Sequence, residues 1–350
     1  MIIMKTLRFY LILIWLAATV VTANAQDSGV AEGRLVNRTD PVIVAENTEL
    51  EIFVLSGGMD VVRIATTDAQ GSFRIEGLPN AMPLMLRAVY KGVNYHGMLV
   101  FDADGKADLE LDVYEPTTSM ADIRVEMATM AFQMEEDHLH AVGTFAIVNS
   151  TSPPRVYINP EGSFRVSKAP GILEPPHIRI TAPGTEMPLA QSALESADGE
   201  SYYSLYPLRP GGTIFEVHQM LPYTDGEYVY EKKIFQDIPE FSVGVIPFDM
   251  TLSGDGLKMT EEHAAENFAV YAANAVGAGD TLTWTFTGGT PVASGDRSET
   301  IIVAMDGVVG QNALTIGSMI LMAFIIALWF ALNRSAREPD PEPRTSGEKS

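Results

Sequence analysis

The densest run of groups able to do chemistry is Glu135-Glu136-Asp137-His138-Leu139-His140. Side chains alternate between the two faces of a strand. His138 and His140 would then share a face and, with Glu136, could offer two imidazoles and a carboxylate to zinc or copper. The same alternation sends Leu139, Ala141, Gly143, Phe145 and Ile147 inward. A plain structural reading, two solvent-side histidines on a half-buried strand, therefore stands beside the metal one. His263-Ala-Ala-Glu266 has a zinc-compatible spacing, but no HExxH motif accompanies it. Asp102-Ala-Asp104-Gly105-Lys106-Ala-Asp108 opens like a calcium loop. Its glycine, however, falls at the fourth position instead of the sixth, and no glutamate follows at the twelfth. A charged hairpin turn accounts for it equally.

SYYSLYPLRPGG, residues 201–212, gathers Tyr202, Tyr203 and Tyr206 beside a Pro-Gly loop. In an extended segment Tyr202 and Tyr206 would lie on one side and could stack on sugar rings, or could close the end of a domain. No nucleophile elbow, phosphate-binding loop or dinucleotide fingerprint is present in a strand-to-helix setting. With 45 acidic residues, no single carboxylate pair stands out as a glycosidase dyad. The expectation is a non-catalytic protein without a cofactor.

What must position these groups is β-structure. GRLVN, ELEIFVL, VVRIATT, SFRIEGL, LMLRAVY, GMLVFD and ADLELDVYE, between Gly33 and about Pro116, are seven strand-length runs with apolar residues spaced by two. They predict an antiparallel sandwich. Within TTDAQGSFRIEGLP, Asp68 to Gly71 supplies a turn, Phe73 and Ile75 point inward, and Gly77-Leu78-Pro79 closes the strand.

These residues carry a resemblance. GRLVN, the strand and turn TTDAQGSFRIEGLP, and an outgoing strand LRAVYKGVNY resemble the carboxypeptidase regulatory-like domain, a small prealbumin-type β-sandwich, over about 70 residues. The resemblance implies an accessory module of exported proteins, concerned with structure, adhesion or glycan contact. It implies no peptidase, whose hydrolytic domain is a separate α/β unit.

From Thr117 to Pro291 further runs, including IRVEMATMAFQ, HLHAVGTFAIVN, TIFEVHQMLPY, GEYVYEKKIF and TLTWTFTG, predict a second, Ig-like sandwich. TEEHAAENFAVYAANAV fits either an Ala-rich helix or a short strand after Asn267, and we favour the strand. The order of parts is also similar to that of bacterial envelope proteins.

Residues 1–25 have a basic start, an apolar run and an Ala23-Asn24-Ala25 exit, the layout of a cleavable export signal. Ala313 to Leu332 is long and apolar enough to span a bilayer, and Arg334 and Arg337 after it put the tail in the cytoplasm. The expected organisation is thus signal 1–25, regulatory-like sandwich 26–116, second sandwich 117–291, linker 292–312, transmembrane helix 313–332 and disordered tail 333–350. Net charge is −22, and there is no cysteine. The acidity disfavours nucleic acid, and the missing thiols exclude disulfides and thiol catalysis. The expectation is a single-pass membrane protein whose ectodomain, periplasmic or extracellular, presents binding modules to an envelope protein or polysaccharide. A carbohydrate-binding module is the alternative, and a zinc-dependent hydrolase comes third.

Overall fold

The computed structural model describes residues 28–290, apart from 56–57, 136–137, 186–187, 225 and 266. The signal, linker, membrane segment and tail read from the sequence lie outside these residues. The described chain is mainly β, in several sheets compatible with sandwich packing. It divides into two units. One runs up to Ser119 and includes Thr151–Tyr157, and the other holds Met120–Ser150 and Ile158 onward.

The first unit contains β1 (Ser28–Asn37), β2 (Glu49–Val54), β3 (Asp60–Thr66), β4 (Ser72–Pro79), β5 (Leu84–Tyr90), β6 (Val93–Leu99), β7 (Lys106–Val113) and β8 (Pro116–Thr117). One sheet has the order β4-β1-β7 and the other β3-β2-β5-β6. Six of the seven expected runs coincide with strands and GMLVFD supplies only the end of β6, Val100 to Asp102 lying beyond it, but the purely antiparallel arrangement does not hold. β1 pairs with β7 in parallel, Gly33 opposite Leu109. The expected single outgoing strand LRAVYKGVNY is also two strands. Lys91 and Gly92 both take positive φ (48° and 81°), the two-residue turn whose twist matches a hairpin.

Alternation sorts the core as physics requires. Leu84, Leu86, Ala88 and Tyr90 of β5 and Val93, Tyr95 and Leu99 of β6 are buried, against Ala31, Leu35, Phe73, Ile75 and Val113 of the other sheet. Phe73 and Ile75 share a parity that Leu78 breaks, because Gly77, at φ 76°, sits in a bulge opposite Gly29 and Val30. Leu109 packs so closely on Gly97 that an added Cβ there would lie 2.7 Å from it.

Two turns of this unit share one design. Asp68 Oδ1 accepts from the backbone N–H groups of Gln70 and Ser72, and Asp102 Oδ1 accepts from those of Asp104 and Lys106. In each, a glycine at positive φ completes the loop, Gly71 and Gly105. The carboxylate of Asp102 is thus occupied by its own backbone, which favours the hairpin reading over the calcium one.

The second unit contains β9 (Ile123–Met134) and β10 (His138–Asn149). Next comes β11 (Val156–Tyr157), which belongs to the first unit and pairs in parallel with β8. The strands β12 (Phe164–Ser167), β13 (His177–Thr181), β14 (Leu189–Ser192), β15 (Leu194–Glu195), β16 (Ser201–Ser204) and β17 (Gly211–Pro222) follow. The last are β18 (Glu227–Lys233), β19 (Phe241–Ile246), β20 (Met250–Gly254), β21 (Leu257–His263), β22 (Phe268–Ala273) and β23 (Thr281–Gly288).

An eight-stranded sheet, β14-β13-β17-β10-β9-β19-β22-β21, is covered on one face by two three-stranded sheets, β12-β16-β15 and β18-β23-β20. Aromatic contacts hold the layers together. Phe132 lies 5.3 Å from Tyr230 and 4.5 Å from Phe286, while Phe164 lies 4.4 Å from Phe215 and 5.4 Å from Phe145. This sheet is also mixed, since β9 and β19 are parallel. A bulge at Glu126 switches the inward parity of β9 from Ile123 and Val125 to Ala128, Met130, Phe132 and Met134. The strand favoured after Asn267 is β22, and Thr260 to His263, which a helix would also have fitted, belongs to β21, which forms a hairpin with it through a turn at Ala264 and Ala265.

Candidate functional site

His138 and His140 share the outer face of β10, with Leu139, Ala141, Phe145 and Ile147 buried on the other. Their partners differ. His138 Nε2 is 3.4 Å from Glu135 Oε2. His140 Nε2 is 3.2 Å from Nδ1 of His218, and the two rings stack 5.3 Å apart. His218 Nε2 is in turn 2.6 Å from Glu216 Oε1, on which Arg179 also converges at 3.1 Å. Glu136 lies outside the described residues. Among the described residues no group of three or more His, Asp or Glu side chains stands ready to hold a metal.

The arrangement is a chain, Arg179, Glu216, His218, His140, laid across three strands. Burial, then the neighbouring His218, holds His140 below the ordinary imidazole range, with Glu135 opposing. The hydrogen bond from His218, with help from Arg179, lowers Glu216 against its burial. Such a chain can pass or park a proton. Its distal half went unnoticed in the sequence, although GTIFEVHQM places Glu216 and His218 on one face of an evident strand.

His263 sits on β21, bonded to Glu261 at 2.7 Å and stacked on Phe268 at 4.5 Å. Glu266 lies outside the described residues. Among the tyrosines, the expected shared side of Tyr202 and Tyr206 is corrected. β16 ends at Ser204, so only Tyr202 and Tyr203 lie in the strand. Tyr202 faces the core at 4% exposure, beside Val166, and offers no face to a sugar. Tyr203 and Tyr206 are half-buried. Asn37 and Asn149, each heading an Asn-x-Thr pattern, are buried and hydrogen-bonded, Asn149 to the Leu208 carbonyl at 2.8 Å.

The second unit opens where its covering layer is split. The edge strands β12 and β18 run side by side without pairing. Between them is a cleft of about 210 Å³ lined by Arg165, Lys168, Lys233, Asp198, Glu200 and Glu231 among others. Adjoining it is a small pocket of about 20 Å³ that shares Arg165, Lys233 and Phe235 with the cleft and also reaches Lys232. No protein-family model and no curated protein matches this chain. The resemblance of the first unit to a regulatory-like domain gains no support from them.

The alternation of β18, Tyr228 and Tyr230 inward, puts Lys232 on the core side at 7% exposure. Its Nζ stands 4.6 Å from the centre of the Phe145 ring. Burial alone pulls its amine down to about 8.

On the first unit, Val61, Phe53, Met85 and Met98 form a cross-strand row on the sheet β3-β2-β5-β6, in which Phe53 is only 5% exposed, the Arg87 guanidinium lying 4.9 Å over its ring, and Met85 is half-buried. Val61 and Met98 are 47% and 46% exposed. Ile64, 61% exposed, extends the row along the open edge strand β3.

Proposed function

We propose that this chain is a non-catalytic envelope protein that holds a protein partner at the outer face of a membrane. In this reading residues 1–25 direct export and Ala313–Leu332 is the single-pass anchor. The two units are β-sandwich modules, the first regulatory-like and the second Ig-like, and both face away from the cytoplasm. Tethering to the surface raises the effective concentration of the modules for neighbours there.

The observation that carries the proposal is the apolar row Val61–Phe53–Met85–Met98 beside the open edge β3. An apolar band that reaches an unpaired edge offers both burial and backbone pairing to another chain. The opposite sheet of the unit is the more charged. Its outer face is covered by ion pairs of Arg34, Arg38 and Arg74 with Glu110, Asp112 and Glu76, against the single pair Arg87–Glu51 beside the apolar row. The carbohydrate alternative would rest on Tyr203 and Tyr206, since Tyr202 is buried. The zinc alternative would require His140 and His263 to give up their contacts with His218 and Glu261.

The test is a photo-crosslinking amino acid placed at Ile64 or Met98 in the full chain, in its native membrane, with Arg74 as the control position. A discrete partner captured from Ile64 and Met98 but not from Arg74 is expected. Capture of nothing, or of the same species from all three, overturns the proposal.

A further inference from the structure

In a chain of net charge −22, the small cavity of the second unit is lined by Arg165, Lys232 and Lys233 and by no carboxylate. No hydrogen bond or ion pair with a described residue reaches Lys232 Nζ, and burial is the whole cause of its lowered basicity. Arg165 Nε and Gln236 Oε1, on the same walls, are buried without hydrogen-bond partners. Arg165 is nevertheless held in place. Its guanidinium lies 4.8 Å over the Phe235 ring, and its Nη2 donates to Ser201 at 2.9 Å. A buried, unpaired cation is costly, and a fixed guanidinium with a free N–H beside it is a ready acceptor-seeking group.

We propose that this cavity seats the carboxylate of a small organic acid, which enters through the cleft between β12 and β18 and accepts hydrogen bonds from Lys232 Nζ and Arg165 Nε. Size selects the head group. A planar carboxylate brings two oxygens to the two donors Lys232 Nζ and Arg165 Nε, and the pocket, about 20 Å³, is small beside a four-oxygen phosphate. The mouth is mixed in charge: Asp198, Glu200 and Glu231 line the outer cleft together with Arg165, Lys168 and Lys233. The ligand class is therefore a small carboxylic acid, amino acids included, whose body meets both signs of charge. This inference goes beyond the partner-binding face, which lies on the other unit, and the two stand or fall separately.

The full chain, with ¹³Cε-labelled lysine and held in detergent micelles, is titrated with acetate, with glycine and with inorganic phosphate at constant ionic strength. The resonance missing from Lys232→Met is that of Lys232. Acetate and glycine are expected to shift it saturably and to raise the pH at which it titrates, whereas phosphate leaves it in place. By calorimetry, Lys232→Met and Arg165→Gln each bind the acids at least about tenfold more weakly, the loss of one charge-assisted hydrogen bond. Binding weakens as pH rises through about 8, where Lys232 loses its proton. No saturable shift with either acid, an equal response to phosphate, or undiminished binding in Lys232→Met overturns the proposal. Since Arg165 is outside the core register, its variant keeps the test open if Lys232→Met misfolds. Unchanged crosslinking at Ile64 in either variant leaves the partner-binding proposal untouched.

Discussion

Lys232→Met should stabilise the second unit. Methionine nearly matches the lysine stem in shape, so the Tyr228–Tyr230–Lys232 register and the packing on Phe145 survive the change. What disappears is a buried charge. A fall in basicity from 10.5 to about 8 corresponds to about 3 kcal/mol of disfavoured ammonium below pH 8. Against this stands the lost attraction to the Phe145 ring, about 1 kcal/mol. The net expectation is a gain of about 2 kcal/mol at pH 7.

The sign of the pH dependence follows from linkage. Between about 8 and 10.5 the unfolded chain holds the lysine proton and the folded chain has released it, so wild-type stability rises with pH across that window. The variant lacks this rise, and its advantage shrinks from pH 7 to pH 9.5. The assay is urea unfolding of both proteins followed by Trp284, which lies fully buried in this unit. A variant less stable than wild type at pH 7, with a difference that does not change with pH, would refute the reasoning.

Further outcomes follow from the geometry. Gly33→Ala would place a Cβ 1.9 Å from the Leu109 carbonyl oxygen across the parallel β1–β7 pair, and should cost about 3 kcal/mol or abolish folding of the first unit in thermal melts. Asn37→Ala removes hydrogen bonds to Tyr90 and Glu115 and an acceptor for the N–H groups of Thr39 and Asp40, a loss of about 3 kcal/mol by denaturant unfolding. His140 has a depressed folded-state basicity, so the unfolded chain protonates first and stability falls as pH drops below about 6.5. His140→Gln should flatten that loss between pH 7 and 5.5. Glu216, held low by His218, keeps its contribution in this range and loses it only at more acidic pH.

Much of the strand inventory was legible because alternation is a local signal. The seven runs of the first unit, the Asp68–Gly71 turn and the strand after Asn267 could all be read from residues two apart. What escaped was either non-local or a break in parity. Nothing in GRLVN and ADLELDVYE tells that they pair in parallel, a fact decided by chain segments 76 residues apart. The bulges at Gly77 and Glu126 flip the inward set without changing composition. The His140–His218 contact exists only through the β10–β17 register. Lys232 is different, because EYVYEKK does place it on the tyrosine side. The habit of assigning lysine to solvent concealed a cation that the alternation itself puts inside.

The most direct test of the account is affinity purification of the full chain from its native membrane beside an Ile64→Asp, Met98→Asp double variant. The account predicts one neighbour protein in near-stoichiometric amount with the wild type and its loss from the variant, both chains remaining folded. A neighbour retained undiminished by the variant, or a wild-type chain recovered alone, would contradict it.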